Sequence, residues 1–126
     1  MRPKRPKFSL WANLLNSLRG LKEVARHERP MQVELLLFVL LTGLLFFLTI
    51  PFGYKMLLFI SLFLPLFAAL VNSAIERTVD LVTVEYHELA KTAKDAASAS
   101  VFVALVVTGL IWVATLYHLY FGSGTC

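Results

Sequence analysis

Long stretches of this chain carry no charge. Leu35–Tyr54, Met56–Ile75 and Ala96–Cys126 are each 20 residues or longer and contain no Asp, Glu, Lys or Arg. About 20 helical residues cross the hydrocarbon core of a bilayer. The pattern therefore predicts three membrane-spanning helices, at about Met31–Ile50, Lys55–Val84 and Lys91–Phe121. The second would be about 45 Å long, more than the core needs, so its last turns should project into water. Pro65 inside it predicts a kink. Pro51-Phe-Gly53-Tyr54 reads as a short turn. Ahead of the spans, Leu10, Leu14, Leu18, Leu21 and Ala25 recur at helical spacing, and Arg19, Lys22, Glu23 and Arg26 lie off that stripe. Residues 8–27 thus read as an amphipathic helix lying in the interface plane. Residues 1–7, with Pro3 and Pro6, read as a basic leader, and Pro30 as the break before the first span. The expected fold is one all-α integral-membrane domain over 1–126.

Composition agrees: 58% of residues are hydrophobic and 16% charged, too apolar for an ordinary soluble domain of this size. Charge adds orientation. Eight of the twelve Lys and Arg residues lie in the first 29 positions. Anionic lipid headgroups suit that segment better than nucleic acid, because the next element enters a membrane. Arg77, Lys91 and Lys94 add positive charge around the 85–91 link, whereas the 51–54 turn is followed only by Lys55. The positive-inside rule puts the N-terminus and the 85–91 link in the cytoplasm, and the 51–54 turn and C-terminus outside. Trp112, Tyr117, Tyr120 and Phe121 would then form an outer aromatic belt. Cys126, the lone cysteine, has no intrachain disulfide partner, and no cleavable signal peptide is expected.

Three spans in one chain have little interior in which to shelter polar groups, yet this chain has many. Asn72, Glu76 and Asp80, spaced i, i+4 and i+8, share one helical face at the expected cytoplasmic edge. Glu28, Glu34, Glu85, His87, Glu88, Lys94 and Asp95 gather at the same edge. Ionisable groups are costly in a bilayer, about 2.5–3.5 kcal/mol at a helix centre, so such a stripe points to function. Mg²⁺ takes hard oxygen ligands, one or two carboxylates plus substrate phosphates, and Glu28 with Glu76 suits that need. Lys94 suits the phosphate charge. Phosphoryl transfer needs positioning and electrostatics more than covalent help. No Walker A or protein-kinase glycine loop is present. Taken alone, Asn72 serves equally as interhelical glue, Glu76 and Asp80 as partners of Arg77 or Lys94, and Ala96–Ser100 as a close-packing stripe. Glu34 reads as a locally paired or interior-facing group.

The run Val71-Asn-Ser-Ala-Ile-Glu76-Arg-Thr-Val-Asp80, followed by Glu85-Tyr-His-Glu-Leu-Ala-Lys-Thr-Ala-Lys94-Asp95, closely resembles the signature of the small bacterial integral-membrane diacylglycerol kinases. The resemblance covers nearly the whole chain. It implies a homotrimer in the bacterial inner membrane that phosphorylates diacylglycerol from ATP. It also implies that Glu28 and Glu76 hold the Mg²⁺ of MgATP, that Glu85, Tyr86, His87, Lys94 and Asp95 contact the nucleotide, and that Asn72 orients the reacting groups.

Two departures stand out. The family has a Glu three residues before the motif Asn, assigned as the base for the lipid hydroxyl. Here that position is Ala69, and Leu66, Ala68, Leu70 and Val71 around it are apolar. A general base contributes about 10²–10⁴-fold, so a severely impaired enzyme is expected. The family's N-terminal helix also brings an Arg and a Tyr to the nucleotide. The nearest positions here are Ser9, Leu10 and Asn16, which leaves Arg5, Lys7 or Arg19 as substitutes. Related proteins act on undecaprenol, the alternative substrate. A catalytically silent MgATP-binding scaffold is the alternative of another class.

Overall fold

In a computed structural model of the chain, residues 9–122 are described. The basic leader at 1–7 and Cys126 lie outside them. Five helices account for nearly all of that length: α1 (Leu10–His27), α2 (Arg29–Phe47), α3 (Phe52–Ser61), α4 (Phe63–Val82) and α5 (Glu88–Phe121). Among the described residues, three stretches are long and apolar enough to cross a membrane: α2, the α3–α4 run Phe52–Val82, and α5.

Helix α1 starts where Ser9 accepts a hydrogen bond from the Ala12 N–H at 3.2 Å, an ordinary N-cap. The break between α1 and α2 falls on Glu28, not on Pro30. Glu28 is extended; its N–H closes α1 on the Val24 carbonyl (3.0 Å), and its own carbonyl accepts from Gln32 (3.1 Å) to open α2. Pro30 sits in the first turn of α2, where its missing N–H has no helical partner to lose. The first span thus begins before Met31 and ends at Phe47, short of Ile50. The turn to the next span is also displaced. It comprises residues 48–51, with Pro51 capping α3, while Gly53 and Tyr54 are already helical.

The expected kink takes the form of an interruption at Leu62, whose N–H bonds back to Phe59 at 3.1 Å. Pro65 has no N–H for the Ser61 carbonyl, four residues earlier. Thr108 on α5 takes the vacant place, its Oγ1 donating to that carbonyl at 3.0 Å. The Ser61 hydroxyl donates to Leu58 O at 2.6 Å and accepts from Trp112 Nε1 at 3.0 Å. Trp112 therefore turns inward, onto the middle of the neighbouring span. It does not stand in an outer belt, because a buried serine offers the acceptor that its indole N–H needs.

Helices α4 and α5 make the most extensive contact in the molecule. Small residues allow it: Ala68, Ala69 and Ser73 on α4 and Ala97 on α5 are buried, as close helix approach requires. Rings of Phe38, Phe59 and Phe63 join α2 to the α3–α4 run, with centroids 4.8–6.0 Å apart. Elsewhere the spans are bare. Leu36, Val39, Leu40, Phe47, Ile60, Phe67, Phe102 and Leu110 are all exposed. In water this would be a large apolar patch; hydrocarbon or another apolar surface satisfies it.

Candidate functional site

Most polar residues of the edge line one of two cavities on neighbouring turns of α4, while Asp80 and Glu88 line neither. The first, about 280 Å³, is lined by Glu28, Glu34, Ala69, Asn72, Ser73, Glu76 and Ser98, with Pro30, Met31 and Val101. The Asn72 amide donates to Glu76 Oε1 at 3.3 Å. A carboxylate only accepts, so that bond fixes which amide atom faces Glu76. Asn72 Oδ1 is then left buried with no hydrogen-bond partner. Across the cavity, Ser73 donates to Glu28 Oε1 at 2.7 Å, and Arg77 reaches Glu28 Oε2 with Nε at 3.1 Å and Nη2 at 2.8 Å. Because the Glu28 backbone is committed to two helix ends, its carboxylate is carried to α4 as a fixed appendage.

Glu28, Glu76 and Asn72 Oδ1 form a set of hard oxygens. Among the described residues no group of three or more His, Cys, Asp or Glu side chains is arranged to hold a metal ion by itself. Glu28 and Glu76, two of the three carboxylates on the first cavity, suit an ion that completes its shell with phosphate oxygens, as Mg²⁺ does.

The second cavity, about 450 Å³, is lined by Glu85, Tyr86, His87, Lys91, Lys94 and Asp95, with Val79, Thr83, Val84 and Ala90. It takes in all five expected nucleotide contacts and has the volume of a ligand site. Its floor is the 83–87 link. Thr83 Oγ1 accepts from the Glu85 N–H at 3.1 Å, and His87 Nδ1 caps α5 by accepting from Leu89 N–H at 3.1 Å. That cap starts α5 at Glu88, one turn earlier than Lys91. Lys94 bonds Asp80 at 2.5 Å and Lys91 bonds Asp95 at 2.7 Å. Asp80 is thus drawn away from Glu76 towards α5. Val79 lines this cavity and Glu76 the first; three residues of helix separate them by about 4.5 Å of rise.

A third, apolar groove of about 330 Å³ runs between Leu37, Phe38 and Leu41 on α2, Leu62 and Pro65, and Leu105 to Val113 on α5. Glu34 lines both it and the first cavity.

Sequence reasoning missed two things here. The grip of Ser73 and Arg77 on Glu28 was signalled only by their i, i+4 spacing, which places both on one face. The position of Glu34 between cavity and groove had no local signal, since it depends on how α2 packs against α4 and α5.

A family model described as prokaryotic diacylglycerol kinase matches residues 15–116. The chain is 40% identical over 101 residues to the diacylglycerol kinase of Haemophilus influenzae, covering 80% of this chain and 86% of that protein. To the diacylglycerol kinase of Pseudomonas aeruginosa it is 41% identical over 100 residues, covering 79% and 81%. To that of Helicobacter pylori strain J99 it is 36% identical over 120 residues, covering 94% of each.

Proposed function

Because the chain belongs to the prokaryotic diacylglycerol kinase family, we propose that it transfers the γ-phosphoryl group of ATP to diacylglycerol, giving phosphatidic acid. The observation that carries this reading is the pair of cavities one turn apart on α4. The larger takes the nucleotide: Tyr86 offers an exposed ring, His87 its free Nε2, and Lys94 and Lys91 their charge to phosphate oxygens. A triphosphate running along α4 reaches the first cavity, where Glu28 and Glu76 would hold Mg²⁺ and Asn72 orients the γ-phosphoryl group. Mg²⁺ held there would neutralise charge on the phosphates. The lipid stays in the bilayer and presents its hydroxyl from the side of the spans.

The bare apolar faces support a homotrimer in the bacterial cytoplasmic membrane, in which copies cover one another and lipid covers the rest. The Lys and Arg distribution supports a cytoplasmic N-terminus and 83–87 link, which puts both cavities on the side that holds ATP. Ala69, buried on the first cavity, lowers turnover, because it brings no carboxylate to the acceptor hydroxyl. The same residue favours the second reading, a silent MgATP-binding scaffold.

Transfer of labelled phosphate from ATP to diacylglycerol or undecaprenol in mixed micelles tests the proposal, with Ala69→Glu alongside. Slow transfer to diacylglycerol, raised about 10²-fold or more by Ala69→Glu at unchanged nucleotide affinity, is expected. Preferential transfer to undecaprenol would replace the substrate. MgATP binding without transfer in either protein would favour the scaffold.

A further inference from the structure

We infer that Glu34 accepts the proton of the lipid hydroxyl in this chain. The inference rests on the lipid-kinase reading above and names a residue for the role that Ala69 leaves open. Glu34 lies in the second turn of α2, half-buried, with no hydrogen bond or ion pair among the described residues. An ionisable group inside a membrane span is costly to keep there, and its usual companions are a counter-charge or a substrate. Among the described residues no cation forms an ion pair with Glu34. The other carboxylates on the cavity are engaged: Glu28 by Ser73 and Arg77, and Glu76 by Asn72.

Placement supplies the second argument. Glu34 and Ala69 line the same cavity from facing helices, and Ala69 leaves open the space that a longer side chain would fill. Glu34 also lines the apolar groove between α2 and α5. A lipid hydroxyl arriving along that groove meets Glu34, the one residue that lines both the groove and the cavity holding Asn72 and Glu76. The hydroxyl oxygen bonds to the γ-phosphorus, the bond from phosphorus to the β–γ bridging oxygen breaks, and its electron pair leaves with ADP. The hydroxyl proton passes to a Glu34 carboxylate oxygen and from there to water. Reaching in from the opposite helix, Glu34 is a less well-placed base than a carboxylate on α4 would be.

The test compares the chain as it stands, Glu34→Gln, Ala69→Glu and the double variant, reading transfer to diacylglycerol as a function of pH and MgATP affinity separately. Glu34→Gln should cut transfer about 10²-fold, flatten the rise of rate on the acid side of the profile, and leave MgATP affinity unchanged. Glu34→Asp should restore part of the rate. In the Ala69→Glu background, where a carboxylate stands on α4, Glu34→Gln should cost little. An equal loss in both backgrounds would make Glu34 structural and overturn the inference, as would an unaffected rate in Glu34→Gln. Activity in Ala69→Glu with none in the unaltered chain would also overturn it while leaving the kinase reading intact. No transfer in any of these proteins would remove the kinase reading and this inference with it.

Discussion

Arg77 and Glu28, far apart in sequence, meet through two guanidinium nitrogens on one carboxylate oxygen, at 2.8 and 3.1 Å. With Ser73 on the other oxygen, both oxygens of a proposed metal-binding side chain are already hydrogen-bonded. A cation must displace Arg77 to use Glu28 fully. The pair is partly exposed, and such pairs are worth about 1 kcal/mol or less. Arg77→Met should therefore tighten Mg²⁺ binding in the presence of ATP by up to about fivefold. A magnesium titration of nucleotide binding reads this directly. Weaker binding would mean that Arg77 serves the phosphates instead.

Removal of the carboxylate in Glu76→Gln should weaken MgATP binding even where turnover is too slow to follow. Asp80→Asn should matter less, because Asp80, one turn further along α4, is held by Lys94. Calorimetric titration of both variants with MgATP ranks them. Unchanged affinity in Glu76→Gln would remove that residue from the metal site.

Thr108→Val should destabilise the protein without touching nucleotide affinity. It leaves the Ser61 carbonyl, already without a partner from Pro65, unsatisfied in a buried setting. The expected cost is about 1–3 kcal/mol, visible as a lower unfolding midpoint in detergent. Trp112→Phe removes the neighbouring bond to Ser61 Oγ and should cost about 1 kcal/mol.

The spans were legible because a bilayer imposes one strong rule, a long stretch with little charge, and α2, the α3–α4 run and α5 are each long and apolar enough to meet it. Their ends were less so. Pro30 and Pro51 both looked like breaks, yet both sit at helix starts, where proline is tolerated; the break itself fell on Glu28, an unremarkable residue locally. His87 as a cap was also hidden, since Asp, Asn, Ser and Thr are the usual signals. At the site, the run Asn72 to Asp95 announced its residues but not their division into two cavities. That division follows from Asp80 pairing across to Lys94 while Glu28 folds back to Ser73, contacts made between helices and absent from any local pattern.

Ala69, Asn72, Ser73, Glu76 and Arg77 all project from the stretch of α4 that follows the Leu62 interruption. A helix turns about 100° and rises about 1.5 Å per residue. One residue inserted between Pro65 and Ala69 would swing this whole row out of its cavity, while the link at 48–51 could absorb the same insertion with little effect. Length variation among natural relatives of this chain should accordingly collect at that link and be missing from the stretch between Pro65 and Arg77.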